Sequence, residues 1–135
     1  MNKILIGFDG SEGSEKALNR AMMLLGDNGE IILLAVVPSP EDKTFVDDNA
    51  YNLLKIKAKN LVNQTIIDLG EQKFKTKGMV EQGDPASVII DAANRLNVDL
   101  IVLGSKGQSE LGQYLIGSVA NKVVQYAAKP VMVVR

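Results

Sequence analysis

Short apolar runs alternate along this chain with longer segments in which apolar residues recur at helical spacing. Lys3-Ile4-Leu5-Ile6-Gly7-Phe8 is the first run, and Asp9-Gly10-Ser11 ends it. Ala17, Leu18, Ala21, Met22 and Leu25 then form the stripe of an amphipathic helix. Ser11 or Ser14 caps that helix, and Gly26 with Asp27-Asn28-Gly29 closes it. Glu30 to Val37 is apolar almost without interruption, as in a strand buried on both faces. A polar connection from Pro38 to Asp48 leads to a longer helix, from about Asn49 to Leu69, with Gly70 at its end. Thr76 to Gln82 reads as a more polar strand suited to a sheet edge. Gly83-Asp84-Pro85 is a turn, with Pro85 or Ala86 as the first residue of a helix striped by Val88, Ile89, Ala92, Ala93 and Leu96. Asp99 to Leu103 is a fourth strand ending at Gly104, and Pro130 to Arg135 is the last. Between them a loop from Gly104 to about Gly112 precedes Gly117-Ser118 and a helix bearing Val119, Val123, Val124 and Ala127.

The order is therefore β-α-β-α-β-α-β-α-β. Strands separated by helices of three turns or so call for right-handed crossovers and a parallel sheet covered on both faces. The expectation is one doubly wound α/β domain over residues 1–135.

Composition narrows the chemistry. The 135 residues include no Cys and no His, which removes disulfides, thiolate nucleophiles, Cys-ligated metals and every His-dependent triad. Carboxylates, lysines, hydroxyls, backbone amides or a bound cofactor must do what is done. The net charge of -1 and six aromatics argue against a nucleic-acid binder, which needs phosphate neutralisation and stacking platforms. No run reaches the length of a membrane span, and Ile4-Leu5-Ile6 is too short for a signal sequence, so a cytoplasmic protein is expected.

Open parallel sheets bind ligands at the carboxyl ends of their strands, where the strand order reverses. Polar and glycine residues gather at two such ends, Asp9-Gly10-Ser11 and Gly104-Ser105-Lys106-Gly107. The segment Gly7 to Gly13 lacks the GxG of a dinucleotide fingerprint, and Gly112 to Ser118 has the glycine spacing of a P-loop without its lysine. A longer pattern fits better: Gly104, Gly107 and Gly117-Ser118, starting at a strand end and finishing at a helix start. Glycines there let amides approach an anion closely, while free amides at Gly117, Ser118 and Val119 with the Ser118 hydroxyl supply a helix N-terminus. Lys106 adds a cation. The competing reading makes Gly104 and Gly107 turn formers and Ser118 a helix cap. For Asp9 the choices are a ligand for sugar hydroxyls, an amino group or Mg²⁺, or a turn residue before the first helix.

Elsewhere, Lys55, Lys57 and Lys59 read as a solvated helix face, Met22 and Met23 as core or boundary packing, and Asp47-Asp48 as a loop or helix start. Tyr114 borders the phosphate loop or packs on the last helix.

These motifs together resemble the universal stress protein family in its single-domain form. The residues carrying the resemblance are Ile4-Leu5-Ile6 with Asp9-Gly10-Ser11-Glu12, Gly83-Asp84-Pro85, Asp99 to Gly107, Gly117-Ser118-Val119-Ala120, and Pro130 to Arg135. In that family the Gly-x2-Gly-x9-Gly-[Ser/Thr] pattern marks the ATP-binding subclass. The resemblance implies a Rossmann-like fold with strand order 3-2-1-4-5, and a homodimer through the final strand. It implies that Asp9, with Gly7 and Phe8, meets the ribose or adenine, that Val36 contacts adenine, and that Gly104, Ser105, Lys106, Gly107, Gly117, Ser118 and Val119 hold ribose and phosphates. ATP or another adenine nucleotide, with Mg²⁺ met through Asp9, is the expected cofactor.

Three functions fit: a nucleotide-binding regulatory homodimer with a protein partner still to be found, a slow Mg²⁺-dependent ATP hydrolase or phosphotransferase, and a stress-response scaffold with a vestigial pocket. Arg20, Arg95 and Arg135 all lie away from the glycine loop in sequence, and no Walker lysine or second acidic metal motif appears, so the sequence favours binding over turnover.

Overall fold

The computed structural model describes residues 1–39, 48–105 and 116–135. Its elements are β1 (Lys3–Gly7), α1 (Glu12–Leu24), β2 (Glu30–Val37), α2 (Asp48–Leu69), β3 (Lys75–Gln82), α3 (Pro85–Arg95), β4 (Leu100–Gly104), α4 (Ser118–Tyr126) and β5 (Val131–Val134). All four strand pairings are parallel, in the order β3-β2-β1-β4-β5. This is the doubly wound, Rossmann-like α/β sheet expected.

Handedness explains the distribution of helices. From β1 the chain steps outward to β2 and β3, then returns across the sheet to β4 and β5. Right-handed crossovers taken in opposite directions put their helices on opposite faces. Accordingly α1 and α2 supply Ala17, Leu18, Ala21 and Val62 to one core layer, against Ile4, Ile6, Phe8, Ile31, Leu33 and Val102. On the other face, α3 and α4 supply Ala86, Ile89, Ala92, Ala93, Ala120 and Val123, against Leu5, Ile32, Leu34, Ile101 and Leu103. Successive residues of β1, β2 and β4 thus serve alternate layers, and a strand buried twice must be apolar throughout. Fully burying one such Ile or Leu contributes about 1.5–3 kcal/mol.

The caps follow side-chain chemistry. Ser11, at φ -70° and ψ 162°, accepts the Ser14 N–H at 3.3 Å, so Ser11 rather than Ser14 caps α1. Helix α1 ends at Leu24 with Leu25 as its C-cap, before Gly26 is reached. Asp84 accepts the Ser87 N–H at 3.1 Å and Pro85 takes the first turn of α3, where its missing N–H costs nothing. Asp48 opens α2. Asp47 and Tyr114 lie outside the described residues.

Helix α2 buries only Tyr51 and Val62 and leaves Leu53, Ile56 and Ile67 more than half exposed. It holds the sheet through Val62, which packs where Gly78 of β3 has no side chain, through the half-buried Ala58, Leu61, Ile66 and Leu69, and through the Tyr51 hydroxyl, which donates to Gln82 Oε1. Lys57 and Lys59 are exposed as expected, while the Lys55 ammonium sits 5.1 Å from the centre of the Tyr51 ring. Met22 packs against the core, but Met23 is 76% exposed and belongs to no boundary. At about 100° per residue Met22 lies beside the stripe of Ala17, Leu18 and Ala21, while Met23 falls on the opposite side of the helix.

Candidate functional site

The order reverses beside β1, whose neighbours are β2 and β4: Ile6 is in register with Leu33 on one side and Val102 on the other. Beyond the carboxyl ends of these strands lies a cavity of about 240 Å³, on the face covered by α3 and α4. Its floor is apolar, made by Gly7, Leu34, Val36, Leu103 and Ile89. Its rim is polar, made by Asp9, Ser11, Ser14 and Ser118.

Gly7 keeps that floor low. A Cβ there meets Leu103 Cδ2 at 2.8 Å and Ile89 Cδ1 at 3.2 Å, the apolar side chains of the cavity wall. Phe8 lines the same strand end, but it is 2% exposed within the opposite core layer, so its ring is committed to packing. Val36 is half-buried and turned to the cavity face.

Asp9 follows the strand as an exposed residue. Its Oδ1 accepts the Ser11 N–H at 2.9 Å, closing a local turn ahead of α1. Burial raises the carboxyl's pKa, but hydrogen bonds from the Ser11 hydroxyl and amide, the Ser14 hydroxyl and the backbone of Asp9 outweigh it, holding the group below the ordinary aspartate range. Turn residue and ligand group are therefore compatible roles: one oxygen serves the turn and the carboxylate stays ionised at the rim. Ser14 is buried, and its hydroxyl, whose single proton serves either acceptor, also lies 3.0 Å from the Ser11 carbonyl.

Helix N-termini carry orphan amides and roughly half a positive charge. At α1 the side chain of Ser11, and at α3 that of Asp84, already satisfies an amide. At α4 the N-cap is Gly117, with no side-chain cap. The first intrahelical bond there runs from the Asn121 N–H to the Gly117 carbonyl at 2.9 Å, so the amides of Ser118, Val119 and Ala120 precede it. All three residues line the cavity.

Two expectations need correction. The Gly117 amide is not free: it donates to the Ser105 carbonyl at 2.7 Å, leaving Ser118 and Val119 as the exposed donors of the three named. Ser105 does not line the cavity; it is buried, and its own N–H donates to the Val134 carbonyl of β5 at 2.8 Å. Gly104 does line it, yet its bare Cα has a packing reason as well. A Cβ there would lie 2.6 Å from the carbonyl carbon of Gly13 and 2.7 Å from its oxygen. Lys106 and Gly107 lie outside the described residues.

Gly7, Phe8, Asp9, Val36, Gly104, Gly117, Ser118 and Val119 thus converge on one cavity from β1, β2, β4 and α4. The profile of the Universal stress protein family matches residues 1–135. This chain belongs to the universal stress protein family. Universal stress protein YxiE of Bacillus subtilis is 31% identical, across 99% of this chain and 99% of its own length. Universal stress protein MJ0577 of Methanocaldococcus jannaschii is 31% identical across 98% of this chain and 94% of its own. The solved MJ0577 structure superposes with a TM-score of 0.77 at 33% identity, covering 98% of this chain and 94% of that one. The universal stress protein UspA from Lactobacillus plantarum shares the fold at a TM-score of 0.82, with 24% identity, 99% of this chain and 97% of that one covered.

Sequence reasoning missed Ser11, Ser14, Leu34, Pro85, Ile89, Leu103 and Ala120 as lining residues of this universal stress protein. Ser11 and Pro85 carried a signal, since both follow carboxyl ends of strands. The others are ordinary core or helix residues that only the three-dimensional arrangement brings to the cavity.

Proposed function

We propose that this universal stress protein binds an adenine nucleotide, ATP foremost, and acts as a regulatory homodimer in stress response rather than as an efficient enzyme. One observation carries the reading: the N-terminus of α4, without a side-chain cap, opens onto the same cavity as Asp9 and an apolar floor. The chemistry orients the ligand. An ionised Asp9 repels phosphate, so it faces sugar hydroxyls or the adenine amino group, while the phosphates go to the Ser118 and Val119 amides. Val36, Ile89 and Leu103 offer a flat apolar group its contact surface. At about 240 Å³ the cavity is below the 300–1,000 Å³ or so of drug-sized ligand sites, and in this reading it takes the nucleoside part alone. Lys106 and Gly107 complete the phosphate side in this reading, and contact of Asp9 with nucleotide-bound Mg²⁺ is the alternative to its contact with sugar or base. The choice of adenine rests on the family.

The dimer contact falls on β5. Both β3 and β5 are sheet edges, but β3 carries the exposed Lys75 and Lys77, a common guard against edge pairing. Val131–Val134 carries no charge. In a parallel ladder alternate residues face the neighbouring strand. Since the Pro130 and Val134 carbonyls accept from Ile101 and Ser105, the peptide groups of Val131 and Val133 face the open edge.

Native mass spectrometry with and without Mg-ATP, followed by titration calorimetry, tests the assignment. Gly117 has φ -60° and ψ 156°, a conformation valine adopts without strain, so Gly117→Val reports on the site. It should abolish binding, and wild-type affinity in that variant would sink the phosphate site. Asp9→Ala should weaken ATP by roughly ten- to a hundred-fold, the value of one hydrogen bond to a charged group.

A further inference from the structure

Ser105 joins two parts of the molecule that the fold otherwise keeps apart. It is buried, 6% exposed, just past the end of β4. Its N–H is held by the Val134 carbonyl at 2.8 Å, the last rung tying the edge strand β5 to the sheet. Its carbonyl accepts the Gly117 N–H at 2.7 Å, fixing the N-cap of α4. The two bonds pin the peptide planes on either side of one Cα, and so both soft dihedrals of a single buried residue. Displacement of Ser105 itself would release both bonds at once, so the N-cap of α4 and the end of β5 share one anchoring residue.

We infer that occupation of the α4 N-terminus and pairing at the β5 edge are thermodynamically coupled through Ser105, so that nucleotide binding strengthens the dimer. The inference rests on the nucleotide and β5-dimer readings above. An anion on the Ser118 and Val119 amides orders the first turn of α4 and holds the Gly117 N–H on Ser105. Ser105 in turn holds Val134, and the neighbouring Val133 peptide groups are fixed in position for a second chain. By linkage, dimerisation must tighten nucleotide binding by the same factor.

The test is the dimer dissociation constant of the full chain by sedimentation equilibrium, with and without saturating Mg-ATP. Amide NMR shifts at Gly7 and Ser118 report binding separately. The expected result is a dimer constant tightened about fivefold or more by ATP. Hydrogen exchange should also slow at Ser105, Val131 and Val133, together with Gly117. Bound ATP with an unchanged dimer constant, or with no dimer at any concentration, overturns the coupling and leaves the nucleotide reading standing. No shift at Gly7 or Ser118 overturns both. Gly117→Pro removes the donated N–H at a φ proline accepts; where Gly7 and Ser118 still report bound ATP, its dimer constant should no longer respond, and where they do not, the exchange comparison on the unaltered chain decides. Should that variant fail to fold, the exchange comparison on the unaltered chain decides alone: protection at Gly117 without protection at Val131 and Val133 refutes the relay.

Discussion

Adding one carbon to Gly104 separates a packing role from a ligand role. The Cβ of Gly104→Ala would lie 2.6, 2.7 and 2.9 Å from the carbonyl carbon, oxygen and Cα of Gly13, in the first turn of α1. Ordinary contact begins near 3.4 Å, so β4 and α1 must part by about half an ångström or more. Backbone cannot swing aside as a side chain does, and overpacking of this kind costs about 1–3 kcal/mol. For a chain of this length each kcal/mol lowers the melting temperature by roughly 3–5 °C, so a fall of about 3–15 °C is expected. Gly7→Ala is the matched comparison. Its Cβ meets only the ends of Leu103 and Ile89, at 2.8 and 3.2 Å, which can turn away at a cost of about 1 kcal/mol or less. That variant should stay near wild-type stability yet bind nucleotide more weakly, because the displaced methyls enter the cavity. Urea denaturation followed by circular dichroism, read as midpoint and slope, measures both. If Gly104→Ala unfolds at the same midpoint as Gly7→Ala, the close approach to Gly13 is not what keeps residue 104 a glycine.

Three further outcomes follow from other parts of the structure. Ser11→Ala removes the cap that receives the Ser14 N–H and should cost about 0.5–2 kcal/mol in urea denaturation; Ser11→Gly should cost only a few tenths. The carboxyls of Asp9, Asp84 and Asp99 all lie below the ordinary aspartate value of 3.8, so the folded state favours their charged forms. Their contribution is fully present above that value and is lost as pH falls through the lower folded values, so the urea midpoint should drop on going from pH 6 to pH 3. Asp99→Asn should flatten part of that drop and speed exchange at Asn2 and Lys3, whose amides donate to its Oδ2 at 2.9 Å. Val133→Pro removes an N–H that faces the open edge without touching the ladder to β4 and should leave a folded monomer by sedimentation; an unchanged dimer would move the interface away from β5.

How much of this was legible depends on which residues answer to local rules. Ile31 to Leu34 announced a doubly buried strand because burial on two faces leaves no polar position. Asp84-Pro85 announced a helix start because capping and a fixed φ are properties of single residues. Asp9 was legible as a cavity-lining residue because strand ends in a parallel sheet converge at one crevice, whereas Val36, which lines it too, was named only through the family resemblance. Ile89 and Ala120 were not, since a residue facing a cavity and one facing a core have the same helical spacing. The engaged Gly117 amide was equally hidden: its partner Ser105 is twelve residues away, and nothing in either residue type predicts the bond.

The glycine pattern shows where such reading reaches its limit. Gly104 and Gly117 open and close it, yet the structure gives them different physical grounds. At Gly104 the missing side chain admits the backbone of α1, a need that exists whether or not a ligand binds. At Gly117 neither φ nor ψ calls for glycine, and its amide already has a partner. What distinguishes Gly117 is the cap it does not supply: Ser, Asp or Asn at that position would turn an oxygen onto the same amides that face the cavity. With glycine rather than Ser, Asp or Asn at its N-cap, the helix gives up only a few tenths of a kcal/mol, which an acceptor from outside the chain readily offsets. In the function proposed above that acceptor is an anion. Gly117→Asp therefore makes the sharpest opposition between fold and ligand: it should raise stability in the absence of nucleotide while abolishing ATP binding. A variant that gained no stability would show that the α4 amides are already satisfied without a ligand.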